Sequence, residues 1–401
     1  MIRFFLSALF SIPCVTAAGF CLFNVYAAAR FFSRRVPPPP QVPPPVSILK
    51  SVCGLDPGTY ENLASFCRQE YPRFELLLGV RDEQDPVIPV LRRLMRDFPG
   101  VDIRLIPCGR VLGANPKVSN LIQMQAAARY PLLLLCDSDI RVARDGLRRM
   151  VGPMADPRVG AITCMCRSLS KGAVGTFEAL RESTEFCPGV ISAERLEGMK
   201  FGLGSAILVR REALERIGGF AAICDYLADD FLLGNRIADA GYAVLLSDVV
   251  VEHDLSFRSF RALAQRQIRW NRGIRVCRPW GYRGLFLTYG IPMSLPLVLA
   301  AGRSPWAWGL FAAVWAARLG MAHFVGSRIL RDRAARKFLW LVPAQDLFSF
   351  GLWCCGLFGD RISWRGRSFR LTRTGKLVPS EPVAPALSLV YDDAPLAAAS
   401  Q

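Results

Sequence analysis

The stretch LLLLCDSDI, residues 132–140, sets four leucines and a cysteine directly before two aspartates. An unbroken apolar run of that length, bounded by turn-forming residues, reads as a strand buried on both faces of a sheet. A strand that apolar has no use for two charges at its end, so Asp137 and Asp139 belong to whatever lies beyond it. Residues at i and i+2 of an extended chain face the same way, so both carboxylates can meet one divalent cation. Hard oxygen ligands suit Mg2+ or Mn2+, and such an ion in turn bridges a diphosphate. Solvated aspartate pairs in turns are common; a D-x-D closing a buried strand is the stronger signal.

Outward from that strand the same grammar repeats. VSILK (46–50), FELLLGV (74–80) and VDIRLI (101–106) read as further buried strands, with helix-like stretches at 58–68, 86–97 and 116–129 between them. Strand–helix alternation predicts an α/β domain on a mainly parallel sheet, here assigned to residues 46–280. Open sheets of this kind bind ligands at the carboxyl ends of their strands, which is where the D-x-D falls.

The flanks are of another kind. No charged residue stands between Arg3 and Arg30, long enough for a helix to cross a core roughly 30 Å thick. The run is long for a cleavable signal peptide and a basic flank follows it, so residues 1–30 read as a retained signal anchor. Arg30, Arg34 and Arg35 follow the span while only Arg3 precedes it, which places the domain in the cytoplasm. Residues 31–45 form a proline-rich linker, a semi-rigid spacer rather than a ligand for an SH3-type domain. Past Trp280, apolar stretches at 284–302, 305–326 and 338–358 read as membrane-associated helices over 281–360. Residues 361–401 read as a basic, then flexible, tail.

Arg328–Lys337 carries five basic residues and one acid, and Arg361–Lys376 six basic residues and no acid, so both read as cytoplasmic. Three full crossings contradict that parity. Asp346 inside the last stretch favours a re-entrant or interfacial segment, because a charge at mid-bilayer costs about 2.5–3.5 kcal/mol.

Composition removes several classes. With 52% hydrophobic residues the chain can bury a core, and most of it is not disordered. The net charge of +17 gathers largely at membrane flanks without a nucleic-acid motif, so no nucleic-acid partner is expected. Thirteen scattered cysteines argue for a reducing compartment, and two histidines with no C-x-x-C argue against structural zinc.

Four further stretches can carry chemistry. In ALAQRQIRW (262–270), Arg266, Arg269 and Trp270 fall near one face of a helix, two guanidiniums for phosphate oxygens and a stacking ring; an interfacial helix with snorkelling arginines has the same pattern. In DYLADDFLLGNRIADAGY (225–242), Asp229 and Asp230 open a helix, either as favourable first-turn acids or as a base aimed at a hydroxyl. LLLGVRDEQDP (76–86) is another strand ending in acids, Asp82 and Asp85. In GANPKVSN (113–120), Lys117 enters a helix near its N-terminus, where it can meet phosphate or a nucleobase; a solvated helix start is the commoner role of such a lysine. His253, after a run of valines, reads as a solvated strand-end histidine rather than a third metal ligand.

Acids after an early strand, N-P-K, D-S-D, A-D-D and R-x-x-R-W, followed by membrane segments, occur here in one order. Together with VSILKSVCGLDP and GGFAAICDYLADD, that order resembles the ceramide glucosyltransferase family, inverting nucleotide-sugar transferases of the GT-A fold, from about Val46 to Arg275. The resemblance implies a UDP-sugar donor, a divalent cation and a membrane-lipid acceptor, ceramide or, as in bacterial relatives, a hopanoid. It implies that Asp82 lies near the uracil and ribose, Lys117 in the donor site, and Asp137 and Asp139 on the metal that holds the diphosphate. It implies Asp230 as general base, and Arg266, Arg269 and Trp270 at the diphosphate and acceptor side. The chain departs from animal ceramide enzymes in reading D-S-D for D-S-G, Asp229-Asp230 for E-D, and Cys187-Pro188 near their His-Pro pair. A processive polysaccharide synthase shares the D-x-D and R-x-x-R-W features but threads its polymer through more helices. A non-catalytic lipid-binding scaffold would not need every one of these acids.

Overall fold

A computed structural model describes residues 2–380 except 36, 39, 57, 170–171, 255–258 and 365–366. Residues 381–401 of the expected tail, Pro39 of the linker and the stretch 255–258 before the R-x-x-R-W helix lie outside the described residues. Eight strands form one sheet: β1 Val46–Val52, β2 Phe74–Val80, β3 Asp102–Pro107, β4 Leu132–Cys136, β5 Ile140–Arg141, β6 Val159–Leu169, β7 Ala206–Arg210 and β8 Ala243–Asp254, in the order β3-β2-β1-β4-β7-β6-β8-β5. β1 to β4 run parallel, β7 is antiparallel to both β4 and β6, β8 is parallel to β6, and β5 is antiparallel to β8.

Alternation along β1 shows why the sheet is buried twice over. Ile48 and Val52 pack with Leu63, Phe66 and Leu91 on one face, while Leu49 meets Leu121 and Met124 on the other. Covering both faces of a parallel sheet is what makes such strands read as continuous apolar runs. The helices Thr59–Cys67, Ile88–Asp97 and Pro116–Ala127 fall where the sequence predicts them, each carrying the chain back to start the next strand.

Among the described residues, two helices are long and apolar enough to cross a membrane, Arg3–Phe32 and Pro305–Ile329. Pro279–Thr288 and Gly290–Ala301 make a third if the pair, bent by 54°, counts as one span. These segments meet at Gly290, where an added Cβ would lie 2.8 Å from both Ala17 Cβ and Val314 Cγ1. The last apolar stretch becomes a 15-residue helix, Val342–Gly356, and is not among the candidate spans. Its Asp346 is buried against Arg318 of the preceding span, which donates to its two oxygens at 2.9 and 2.7 Å.

The stretch expected as the start of a basic tail is instead folded. β9 Arg361–Trp364, β10 Arg367–Leu371 and β11 Leu377–Pro379 form an antiparallel sheet. It docks on the domain: Leu377 N–H donates to the Asp225 carbonyl at 2.7 Å and Leu227 N–H to that of Gly375 at 3.2 Å. Ile362, Phe369, Leu371 and Leu377 fill a small core with Leu227 and Val276. Alternating apolar residues supply that core, and the arginines between them gave the stretch its tail-like look.

Candidate active site

β4 delivers the D-S-D turn to the carboxyl edge of the sheet, and several other segments close on it. The N-P-K loop is fixed first: Asn115 caps its helix by accepting from Lys117 N–H and Val118 N–H, and Pro116 sits where no N–H is needed. The Asn115 amide also donates to the Tyr226 carbonyl at 2.9 Å and to Asp229 at 3.2 Å. Lys117 Nζ thereby lies 2.7 Å from Asp137 and 3.5 Å from Asp229. Burial pushes its pKa down, but Asp137, Asp229 and Asp230 together hold it above the ordinary lysine value.

Asp230 stands in the first turn of the helix Asp229–Asp239. One oxygen accepts Gly204 N–H at 2.7 Å and the other Phe231 N–H at 2.8 Å. Gly204 is where Asp230 and Asp137 approach each other: a Cβ there would lie 3.0 Å from Asp230 Oδ2 and 3.7 Å from Asp137 Oδ2. Burial, with Asp229 adding like charge and Lys117 opposing both, raises the Asp230 pKa to about 6. A carboxyl tuned toward neutrality, among Asp229, Asp137 and a single lysine, is suited to accept a proton.

Asp139 faces another set of partners. His253 is 5% exposed, so the solvated histidine expected from the sequence is buried. β8 does not end in solvent there: His253 pairs with Ile140 of β5 on one side and with Ser168 of β6 on the other. Its Nε2 lies 3.1 Å from Asp139 Oδ2 and its Nδ1 3.2 Å from Glu182 Oε1. Glu182, 2% exposed, opens a π-helical turn, Glu182–Phe186, and also accepts from Ser168. Burial opposes charge on the imidazole, yet Asp139 and Glu182 raise its pKa well above the ordinary value. Burial likewise opposes charge on Asp139, and His253 and Arg266 outweigh it, holding the carboxyl low.

A divalent cation fits this corner. Asp139 Oδ1 is buried with no hydrogen-bond partner among the described residues, an oxygen left without the donor or ion that burial normally demands. Beside it stands a histidine whose far nitrogen is held by a carboxylate, the arrangement that orients an imidazole toward a metal. Cys166, Glu182 and His253 also place ligand atoms within 4.8 Å of one another.

The R-x-x-R-W residues divide. Arg266, on the helix Phe260–Cys277, brings Nη2 to 3.3 Å from His253 Nε2 and stacks on Trp270 at 4.4 Å. Arg269 turns instead to Trp364 of the small sheet, 5.4 Å from its ring centre. Asp82 stays exposed in the turn after β2, accepting Gln84 N–H at 2.9 Å, apart from the hydrogen-bonded cluster. Asp85 ties that turn to the end of β1 by accepting Gly54 N–H at 2.9 Å.

The structure thus joins Lys117, Asp137, Asp139, Asp230 and Arg266 at one sheet edge. The sequence profile of Glycosyl transferase family 21 matches residues 9–377. The chain belongs to glycosyl transferase family 21. Ceramide glucosyltransferase 3 of Caenorhabditis elegans is 25% identical over 382 residues, 90% of this chain and 81% of that protein. Ceramide glucosyltransferase 1 of the same organism is 30% identical over 234 residues, 56% of this chain and 50% of its own. The ceramide glucosyltransferase of Gibberella zeae is 33% identical over 168 residues, 38% of this chain and 32% of that one. The mannosyltransferase PcManGT of Pyrobaculum calidifontis, solved with GDP-Man and Mn2+, superposes with a TM-score of 0.54 at 22% identity, covering 88% of this chain and 99% of that one. That likeness shows the GT-A fold. This family 21 chain is a glycosyltransferase with membrane-associated helices.

Proposed function

We propose that this family 21 enzyme transfers a hexose from a UDP-sugar, with inversion, to a hydroxyl of a membrane lipid. The relatives named ceramide glucosyltransferase favour UDP-glucose and ceramide over a hopanoid acceptor. The observation that carries the reading is the meeting of Asp137, Asp229 and Asp230 around Lys117 at the sheet edge where the D-S-D turn also presents Asp139 to His253.

On this reading Asp230 takes the proton of the acceptor hydroxyl, its two backbone N–H bonds fixing the carboxylate while lone pairs stay available. Lys117 and Arg266 offer positive charge to the departing diphosphate, Arg266 braced by Trp270. Asp82 serves the uracil and ribose from its exposed turn, and Arg269 with Trp364 borders the acceptor side. Asp137, Asp139 and His253 hold Mg2+ or Mn2+, with Glu182 fixing the imidazole. The cation, when bound, neutralises charge that builds on the leaving diphosphate. The domain faces the cytoplasm, on the side of Arg30, Arg34 and Arg35.

The test is UDP release by the full chain in nanodiscs, with UDP-glucose, UDP-galactose or UDP-N-acetylglucosamine and ceramide or a hopanoid polyol. Release is expected with UDP-glucose and ceramide, falling at least about 100-fold in Asp137→Ala and Asp230→Asn. Release that ignores added lipid, or survives both substitutions, sinks the reading. Dependence on the hopanoid replaces the acceptor.

A further inference from the structure

Lys50 is 0% exposed in the middle of β1, on the face that carries Ile48 and Val52. Its Nζ lies 3.9 Å from the centre of the Phe66 ring, and no ion pair among the described residues includes it. An ammonium so placed costs several kcal/mol unless its donors are used. They are used on one short segment: Nζ donates to the Asp137 carbonyl at 2.8 Å and to the Ile140 carbonyl at 3.2 Å.

Those two carbonyls bracket the D-S-D turn. The Asp137 carbonyl also accepts Ile140 N–H at 3.3 Å, so a single ammonium closes the turn from inside. Ile140 is the residue that pairs with His253, and Asp254 N–H reaches the Asp139 carbonyl at 2.9 Å. A shift of the turn therefore moves Asp137, Asp139 and His253 relative to one another. Leucine or methionine would fill the same slot in this apolar layer without a buried charge but would leave both carbonyls without that donor, so packing alone does not explain a lysine.

We infer that Lys50 is a positioning residue, which holds the D-S-D turn by its backbone so that Asp137 and Asp139 converge on one divalent cation. The inference rests on the cation site proposed above, and binding of Mn2+ alone tests the two separately. The full chain in nanodiscs is titrated with Mn2+, the free ion being followed by electron paramagnetic resonance, with no sugar donor and no turnover. Wild type is expected to bind an ion that Asp139→Ala loses.

Lys50→Met is expected to weaken Mn2+ binding about 10–100-fold, as loss of a ligand's supporting contacts does. Its melting temperature should fall modestly while the fold persists, because relief of a buried charge is offset by two carbonyls left without their donor. Lys50→Gln, which keeps an amide donor, should fall between. Wild-type Mn2+ affinity in Lys50→Met overturns the inference and leaves the cation site standing. If Lys50→Met does not fold, wild-type affinity in Lys50→Gln overturns it equally, and failure of both to fold assigns Lys50 to folding instead. No Asp139-dependent binding in wild type removes the cation site and the inference together.

Discussion

At the residue scale, the function proposed for Asp230 fixes the direction of its pH dependence. A base works only when ionised, and a carboxyl raised to about 6 becomes protonated as pH falls through that value. The rate is therefore expected to be flat near pH 7.5 and to drop toward tenfold per unit on the acid side. A cation on the neighbouring aspartates favours the ionised form, so the acid limb should lie no higher than about pH 6. Asp229→Asn removes the like charge that helps hold the pKa up and should move the limb to lower pH. A kcat/KM profile against pH for both proteins checks this; an unmoved limb shows that another group titrates. The acids of this site were legible because each follows an apolar strand or opens a helix. Lys50 and Glu182 were not. A lysine at the end of VSILK looks solvated until Asp137 and Ile140 are seen to cap it, and Glu182 gains its role only when a π turn brings it under His253.

At the scale of elements, the strands were the most legible part, since β2 and β4 occupy the residues that their apolar runs mark. The membrane-side helices were harder, because what governs them is pairing between segments far apart in sequence. Asp346 argued against a simple crossing, and its partner is Arg318, 28 residues earlier, whose guanidinium also donates to the Thr184 carbonyl at 3.0 Å. Thr184 belongs to the π turn that carries Glu182, and Gly326 of a second π stretch, Ala322–Ile329, packs on it: a Cβ there would lie 3.0 Å from Thr184 Cγ2. One buried arginine thus joins a candidate span, the helix Val342–Gly356 and the turn behind the histidine. Arg318→Met leaves Asp346 buried and unpaired, and should cost about 3–5 kcal/mol. Arg318→Met with Asp346→Leu removes both charges and should recover a large part of that loss. Melting in detergent measures both; equal losses in single and double variants would show that the pair contributes nothing beyond its atoms.

At the scale of the whole molecule, contacts at both ends of residues 280–360 bear on a parity that charge counting alone left in conflict. Arg34 pairs with Glu194 at 3.0 Å, so the first candidate span ends on the domain. The segment Pro279–Ala301 leaves from the domain side, where Arg278 pairs with Glu197 of the helix Cys187–Glu197, and turns at Gly302. The span Pro305–Ile329 returns, since Arg167 of β6 donates to the Leu330 carbonyl at 3.4 Å. The small sheet then docks beside Asp225, on the same side again. If these two segments cross in opposite directions, the basic stretches 328–337 and 361–376 fall on the side of the domain, as positive-inside bias requires, and Val342–Gly356 need not cross. A protease site inserted at Arg373, in the exposed turn before β11, should be cut from the side that exposes the catalytic domain. One inserted at Arg303, in the turn between the two passages, should be cut only from the opposite side. Sealed vesicles of both orientations give the comparison. Cleavage of both sites from one side would mean that Gly290–Ala301 and Pro305–Ile329 lie on the membrane rather than through it, and the acceptor lipid would then reach Asp230 from beneath the domain instead of between its helices.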